Sequence, residues 1–246
     1  MRVTVYRYNP ERDSVPYLQN YDFEEPQSGD LMVLDVLEAL KEQDPTLTFR
    51  RSCREGVCGS DGVNINGANA LACITRVSTA LHGGRLPSGQ KLGASKRLII
   101  RPLPGMPVIR DLVVDMEQFW EQYKSVKPWL INHHPAPSQE RLQSPEERAQ
   151  LDGLYECILC GCCTSACPSW WWNPETYVGP AGLLWSYRFL ADSRDTASRE
   201  RIADLDDPFS VFRCRAVLNC VAFCPKGLNP RNAISRIEGI LLKEGS

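Results

Sequence analysis

From Val3 the chain alternates apolar and polar residues through "VTVYRY" (3–8), the period of a half-buried strand. "YLQNYDFE" (17–24) follows the turn-forming "NPERDS" and predicts an antiparallel partner. The period then changes. In "DLMVLDVLEALKEQD", Val33, Leu34, Leu37 and Leu40 recur at helical spacing, with Asp30 placed to cap the start and Pro45 beyond the end. Gly- and Asn-containing segments surround three cysteines between positions 52 and 73, and "RLIIRPL" (97–103) reads as a buried strand. Two strands, a helix, a cysteine loop and a returning strand outline a small α+β domain.

"PLPGMPV" (102–108) breaks the pattern and marks a boundary. The expected domains are 1–105 and 106–246. Beyond the boundary, "DMEQFWEQYKSV" (115–126) predicts a helix, "NHHPAPSQ" (132–139) a loop, and "SPEE" (144–147) a capping box with proline at the first helical position. "GPAGLLWSYRFLADSRD" (179–195) predicts a helix from Pro180, with Leu183, Leu184, Tyr187 and Leu190 on one face. A last helix starts at Asn229-Pro230, striped by Ala233, Ile234, Ile237, Ile240 and Leu241. This second part is mostly α.

Composition narrows the class. With 246 residues, 43% hydrophobic and 24% charged, the chain is an ordinary globular protein. A net charge of −2 gives no bulk attraction to nucleic acid, so no nucleic-acid partner is expected. No apolar run approaches the roughly 18 residues of a membrane span. "MRVTVYRYNPERDS" lacks the apolar core of a signal peptide. Eleven cysteines without an export signal point to metal rather than disulfides.

Three constellations account for ten of them. Cys53-x4-Cys58-x2-Asp61-x11-Cys73 follows the plant-type [2Fe–2S] spacing C-x4-C-x2-C with a distant fourth cysteine. Asp61 stands at the third cysteine's position. A carboxylate is anionic and binds iron as a harder ligand than thiolate; the alternative makes Asp61 a turn residue, since Asp-Gly is also a turn signal. Cys157-x2-Cys160-x2-Cys163-x3-Cys167-Pro168 matches the bacterial ferredoxin run in full, and the fourth cysteine of such a run ligates a second cluster. Cys214, Cys220, Cys224 and Pro225 supply that second run, with Val217 at the second cysteine's position. Cross-ligation assigns Cys157, Cys160, Cys163 and Cys224 to a [4Fe–4S] cluster. Cys167, Cys214 and Cys220 remain, and three thiolates suit a [3Fe–4S] cluster, with Val217 filling the vacant corner. The alternative is a four-iron cluster with water at that corner. Cys162 is left over and reads as a buried thiol. Zinc sites use paired four-ligand knuckles, which this spacing does not make.

The stretches "SCREGVCGSDGVNINGANALACIT", "GLYECILCGCCTSACPSWWWNPETYVGPAGLLWSYRFLADSRD" and "FRCRAVLNCVAFCPKGLNP" resemble the iron–sulfur subunits of succinate dehydrogenase (respiratory complex II) and fumarate reductase. Asp61 and the tryptophan run resemble the succinate dehydrogenase branch more closely. The resemblance implies a β-grasp ferredoxin-like domain followed by an α-helical ferredoxin-like domain. It implies a relay from the FAD of a partner flavoprotein through [2Fe–2S], [4Fe–4S] and [3Fe–4S] clusters to ubiquinone. It also implies hydrophobic anchor subunits, with haem b a candidate cofactor of theirs, and a peripheral place on the cytoplasmic face of the inner membrane in a bacterium. No dinucleotide fingerprint or evident dicarboxylate site stands in this sequence, so the partner must oxidise the succinate.

In the family, the positions of Pro168, Trp171 and Trp172 line the quinone pocket. Three adjacent tryptophans on a helix spread over about 200°, so at least one must be exposed or face a partner; Trp170 has the weakest claim to a functional role. The position after Cys214 is often histidine in the family and here is Arg215, which donates hydrogen bonds but cannot relay a proton. His82, His133 and His134 have no ligand spacing to the cysteines, and the pair 133–134 reads as a solvated loop. Arg213 and Lys226 flank ligand cysteines and either raise a cluster potential or are simply solvated. Rival readings are a fumarate reductase subunit, and a soluble iron–sulfur sensor or scaffold with no membrane partner.

Overall fold

Val3 and Val5 are fully buried and anchor strand β1 (Arg2–Arg7) in the computed structural model, which describes residues 1–24 and 31–244. Strand β2 (Tyr17–Asp22) runs antiparallel to it, with Arg2 opposite Asp22 and Arg7 opposite Tyr17. Helix α1 (Val33–Gln43) buries Val33, Leu34, Val36, Leu37 and Leu40. Its first turn is closed by Asp35, whose carboxylate accepts the Met32 N–H at 3.0 Å; the capping expectation for Asp30 lies outside the described residues.

Strands β3 (Gly62–Ile65) and β4 (Ala68–Leu71) form a hairpin. Its turn is Asn66-Gly67, both at positive φ, as a two-residue hairpin of primed type requires. Helix α2 (Val77–His82) and a small ribbon of β5 (Gly84–Arg85) and β6 (Lys91–Leu92) follow. Strand β7 (Leu98–Arg101) then inserts parallel to β1 and antiparallel to β3. The sheet order is β2-β1-β7-β3-β4, a β-grasp arrangement. A second ribbon, β8 (Val108–Arg110) and β9 (Val113–Val114), closes this part. A buried ion network pins the open end of the sheet. The Arg7 guanidinium meets Asp44 at 2.5 Å and Asp111 at 3.0 Å, Thr46 at 2.7 Å, and Tyr21.

The remaining elements are helical: α3 (Glu117–Ser125), α4 (Pro145–Ala149), α5 (Cys162–Ser165), α6 (Pro168–Trp172), α7 (Gly179–Leu190), α8 (Ser198–Ala203), α9 (Asn219–Ala222) and α10 (Pro230–Glu244). The capping box before α4 forms. Ser144 Oγ accepts the Glu147 N–H at 3.2 Å, and the Glu147 carboxylate accepts the Ser144 N–H at 2.8 Å. Contacts divide the chain into two units. One comprises Met1–Met116, Ile158–Ala166 and Ala222–Gly227; the other comprises Glu117–Cys157, Cys167–Val221 and Leu228–Ser246.

In the helical unit, α7 packs against α3, α8 and α10. Leu183, Leu184 and Phe189 of α7 are buried, whereas Tyr187 and Leu190 are half-buried. A helix with neighbours on several sides has no single apolar face, so a one-stripe reading misses Phe189. On α10, Ala233, Ile234, Ile237 and Leu241 are buried and Ile240 is half-buried. Arg201 (1% exposed) bonds Asp195 at 2.7 Å and the carbonyls of Val126, Lys127 and Trp129. Among the described residues no helix is long and apolar enough to cross a membrane.

Candidate metal centres

The loop between α1 and β3 is wound by left-handed residues at Arg54, Gly56 and Gly59. That winding turns the N–H groups of Glu55, Val57 and Cys58 onto Cys53 Sγ, at 3.5, 3.4 and 3.3 Å. Successive backbone N–H groups facing one atom favour an anion there, and these donors bring the Cys53 thiol down to about 7. Cys58 is exposed, its sulfur 3.1 Å from Ser60 Oγ. Cys73 is buried; burial and then the neighbouring Asp61 carboxylate push its thiol up to about 12.

Asp61 itself is 4% exposed. Its Oδ2 accepts the Cys73 N–H at 2.5 Å, while its Oδ1 is buried with no hydrogen-bond partner. A buried, unpartnered carboxylate oxygen beside cysteine thiols is costly unless a cation meets it. The donor set of Cys53, Cys58, Asp61 and Cys73 therefore fits iron. Gly59 adds a constraint. A Cβ there would stand 2.9 Å from Cys160 Cα and from Ile158 O, so the first loop lies directly against the start of the second cysteine run.

That second run is pinned to the sheet. Asn69 on β4 donates to Cys162 O at 3.1 Å and to Ser165 Oγ at 3.0 Å, fixing α5. Cys160, Cys163 and Cys224 are buried and belong to the first unit, and the half-buried Cys157 ends a segment of the second. The neighbouring Cys162 and then burial raise the Cys160 thiol well above its ordinary value, so a metal must displace its proton. Cys162 is fully buried.

In the helical unit, Cys167, Cys214 and Cys220 line one cavity with Pro168, Tyr177, Val217 and Arg231. Burial, then Cys167 and Cys214, push the Cys220 thiol up to about 12, and burial also raises Cys167. Here the two runs can be compared residue by residue. Leu159 (φ 54) and Gly161 (φ 77) bracket Cys160; Ala216 (φ 52) and Leu218 (φ 68) bracket Val217. Helices α5 and α9 begin at matching positions, one residue before Cys163 and Cys220. The backbone is that of a cysteine corner, and the side chain has no donor. Val217 is 55% exposed.

Tyr177, between α6 and α7, is fully buried and its hydroxyl has no hydrogen-bond partner. Burial, then the sulfurs of Cys167, Cys214 and Cys220, raise its pKa far above the usual tyrosine value. Arg231 reaches the same cavity and pairs with Glu238 at 2.9 Å. No motif marked either residue: a lone Tyr and the second residue of a helix carry no spacing signal.

The tryptophans separate as their helical spread requires. Trp170 is 2% exposed, Trp171 43% and Trp172 72%. Arg215 is exposed and donates to Phe212 O at 3.1 Å. His133 pairs with Glu200 at 2.7 Å in an exposed loop, Arg213 stacks over Phe209 at 4.5 Å, and Lys226 is exposed. Among the described residues, no three His, Cys, Asp or Glu side chains converge on a point suited to a single metal ion. Iron–sulfur clusters set their thiolates around several irons, so single-ion convergence is not the geometry they require.

Residues 2–121 match the 2Fe-2S iron-sulfur cluster binding domain, and residues 137–225 match the 4Fe-4S dicluster domain. The chain is 56% identical, over 99% of its length and 98% of the relative's, to the succinate dehydrogenase iron-sulfur subunit of Coxiella burnetii. It is 49% identical to the mitochondrial succinate dehydrogenase [ubiquinone] iron-sulfur subunit 1 of Oryza sativa, over 98% of this chain and 82% of that one. Among solved structures, the Mycobacterium smegmatis Sdh1 complex in the apo form contains a chain that matches with a TM-score of 0.83 at 25% identity, covering 99% of this chain and 95% of that one. The sequence agreement extends over nearly the full length, and the chain belongs to the family of succinate dehydrogenase iron–sulfur subunits.

Proposed function

We propose that this electron-transfer subunit takes electrons from the FAD of a flavoprotein partner and delivers them to ubiquinone beside hydrophobic anchor subunits, within a succinate:quinone oxidoreductase. Cys53, Cys58, Asp61 and Cys73 hold the [2Fe–2S] cluster. Cys157, Cys160, Cys163 and Cys224 hold the [4Fe–4S] cluster, and Cys167, Cys214 and Cys220 hold the [3Fe–4S] cluster. When bound, these groups supply stepwise one-electron transfer. The protein's part is to insulate, position and tune. Cys160, Cys163 and Cys224 of the second site and Cys220 of the third are buried, and the N–H groups around Cys53 stabilise its thiolate.

One observation carries the quinone end. Pro168 lines the cavity of Cys167, Cys214 and Cys220, and the same helix, α6, ends in the exposed Trp171 and Trp172. Large exposed aromatics mark a partner surface, and tryptophan suits a membrane interface because an apolar ring carries a polar N–H. This favours a membrane complex over a soluble sensor. In this reading Trp172 Nε1 donates to a quinone oxygen. Arg215 stays charged and donates only. It polarises a quinone oxygen or neutralises a haem propionate of the anchors, and the proton must come by another route. The chain would then sit peripherally, on the cytoplasmic face of the inner membrane in a bacterium.

Low-temperature EPR on the assembled, air-oxidised complex tests the reading. Oxidised [2Fe–2S] and [4Fe–4S] clusters are diamagnetic, whereas an oxidised [3Fe–4S] cluster carries unpaired spin. A signal before any reductant is expected; silence in a fully metallated sample overturns the three-iron assignment.

A further inference from the structure

Tyr177 is held from its backbone outward. Its N–H donates to Asn173 O at 2.9 Å, the ring is fully buried, and the side chain lines the cavity of Cys167, Cys214 and Cys220. Yet its hydroxyl has no hydrogen-bond partner among the described residues. Buried hydroxyls are nearly always paired. Phenylalanine would fill the same space without stranding an O–H, so the oxygen calls for an acceptor. The sulfurs of Cys167, Cys214 and Cys220 all act on this hydroxyl, and of the three Cys214 is the candidate hydrogen-bond acceptor. As neutral thiols they are weak acceptors; as iron-bound thiolates they are anionic and accept well.

We infer that Tyr177 is a redox-tuning residue: its hydroxyl donates a hydrogen bond to the Cys214 sulfur of the cluster-bound site and raises the reduction potential of that centre. This rests on the three-thiolate reading above. Reduction brings one electron from the preceding centre and adds one negative charge. No bond breaks, and the proton stays on the tyrosine oxygen. A donor aimed at a ligand sulfur stabilises the more negative state more strongly, and hydrogen bonds to cluster sulfurs are an established lever on potential.

The test is a redox titration of the oxidised-state EPR signal in the assembled complex, comparing wild type with Tyr177→Phe. The signal should persist, and the midpoint should fall by a tenfold change in the reduction equilibrium, about 59 mV for a one-electron couple. An exchangeable deuteron coupled to the spin in D2O should disappear in the variant. Tyr177→3-fluorotyrosine, nearly isosteric and a stronger donor, should raise the midpoint, and it decides the matter if the phenylalanine variant fails to assemble. A persistent signal with an unchanged midpoint in these variants overturns the role of Tyr177 and leaves the three-iron reading intact. Absence of the signal in metallated wild type overturns that reading first.

Discussion

Asp61→Asn separates an iron ligand from a turn residue by the sign of its effect. The substitution keeps shape and keeps an oxygen to accept the Cys73 N–H, but removes the charge. If Asp61 only shapes the turn, two effects oppose each other. A hydrogen bond to a charged acceptor, about 1.5–3 kcal/mol, becomes a neutral one of about 0.5–1.5 kcal/mol. Against this, the wild type buries an anionic oxygen with no partner; the amide nitrogen that replaces it is also unpartnered, at about 1–3 kcal/mol, but it escapes the larger penalty of a charged group. These cancel to within about 1 kcal/mol, and a turn residue therefore tolerates asparagine. If Oδ1 ligates iron, the outcome differs: an anionic ligand becomes a neutral amide. [2Fe–2S] content should fall, and the potential of any retained cluster should rise because one negative charge is gone. Asp61→Cys should retain the cluster, since cysteine is the plant-type ligand at this position. Iron and acid-labile sulfide per complex, with EPR of the reduced [2Fe–2S] centre, give the readout. An asparagine variant with wild-type iron, wild-type spectrum and wild-type potential would refute the ligand role.

Other outcomes follow from the same geometry. Val217→Cys offers a thiolate at a corner whose backbone already matches that around Cys160; the EPR signal of the air-oxidised complex should be lost with iron content maintained or raised. Trp172→Phe should lower quinone reduction in the assembled complex while all cluster signals persist, with a stability change within about 0.5 kcal/mol because the residue is largely exposed; unchanged quinone-reductase kinetics would remove Trp172 from the pocket. At Asp44, burial disfavours the carboxylate, but hydrogen bonds from Thr46, Arg7 and Tyr21 outweigh it and hold its pKa well below the usual range. A depressed folded pKa gives stability that is complete above the unfolded carboxylate's pKa, about 4, and lost as the pH falls below it. Arg7→Met should therefore cost about 3–5 kcal/mol near pH 7 and measurably less at pH 3, read from urea midpoints at the two values.

The legible parts of this fold are those in which chemistry repeats at short range. The alternation in β1, the stripe of α1 and the Ser144 capping box each place all their information within a few consecutive residues. The proposed donor set is legible for a similar reason: C-x2-C-x2-C-x3-C-P is a local arrangement suited to wrapping a cluster. Other features leave no local trace. Nothing near Ile158 signals that Ile158–Ala166 packs with the first unit. That association depends on Asn69 reaching Cys162 O and on the missing side chain of Gly59, both roughly a hundred residues away in the chain. The two-residue strands of β5 and β6 are too short to show a period. Tyr177 and Arg231 become visible only once the chain has closed a cavity around the cysteines.

The two cysteine runs show how a cluster loop is varied with little change in its path. Around Cys160 one left-handed position is a glycine; around Val217 both are side-chain-bearing residues, Ala216 and Leu218. A non-glycine residue in this conformation costs about 1–2 kcal/mol, so the second run accepts strain that the first partly avoids. Such a conformation persists only where surrounding contacts over-determine it. Here the segment is held between Cys214 and Cys220, which line the cavity, and runs into the helix α9 that starts at Asn219. Along the strained path Ala216, Val217 and Leu218 are exposed, and they line the cavity that Cys167, Cys214, Cys220 and Tyr177 also line. One short segment thus does two things. Its cysteines, with Tyr177 from the stretch before α7, line the cavity proposed for the third centre. Its outer face is apolar and exposed at Val217 and Leu218 and offers no fourth thiolate.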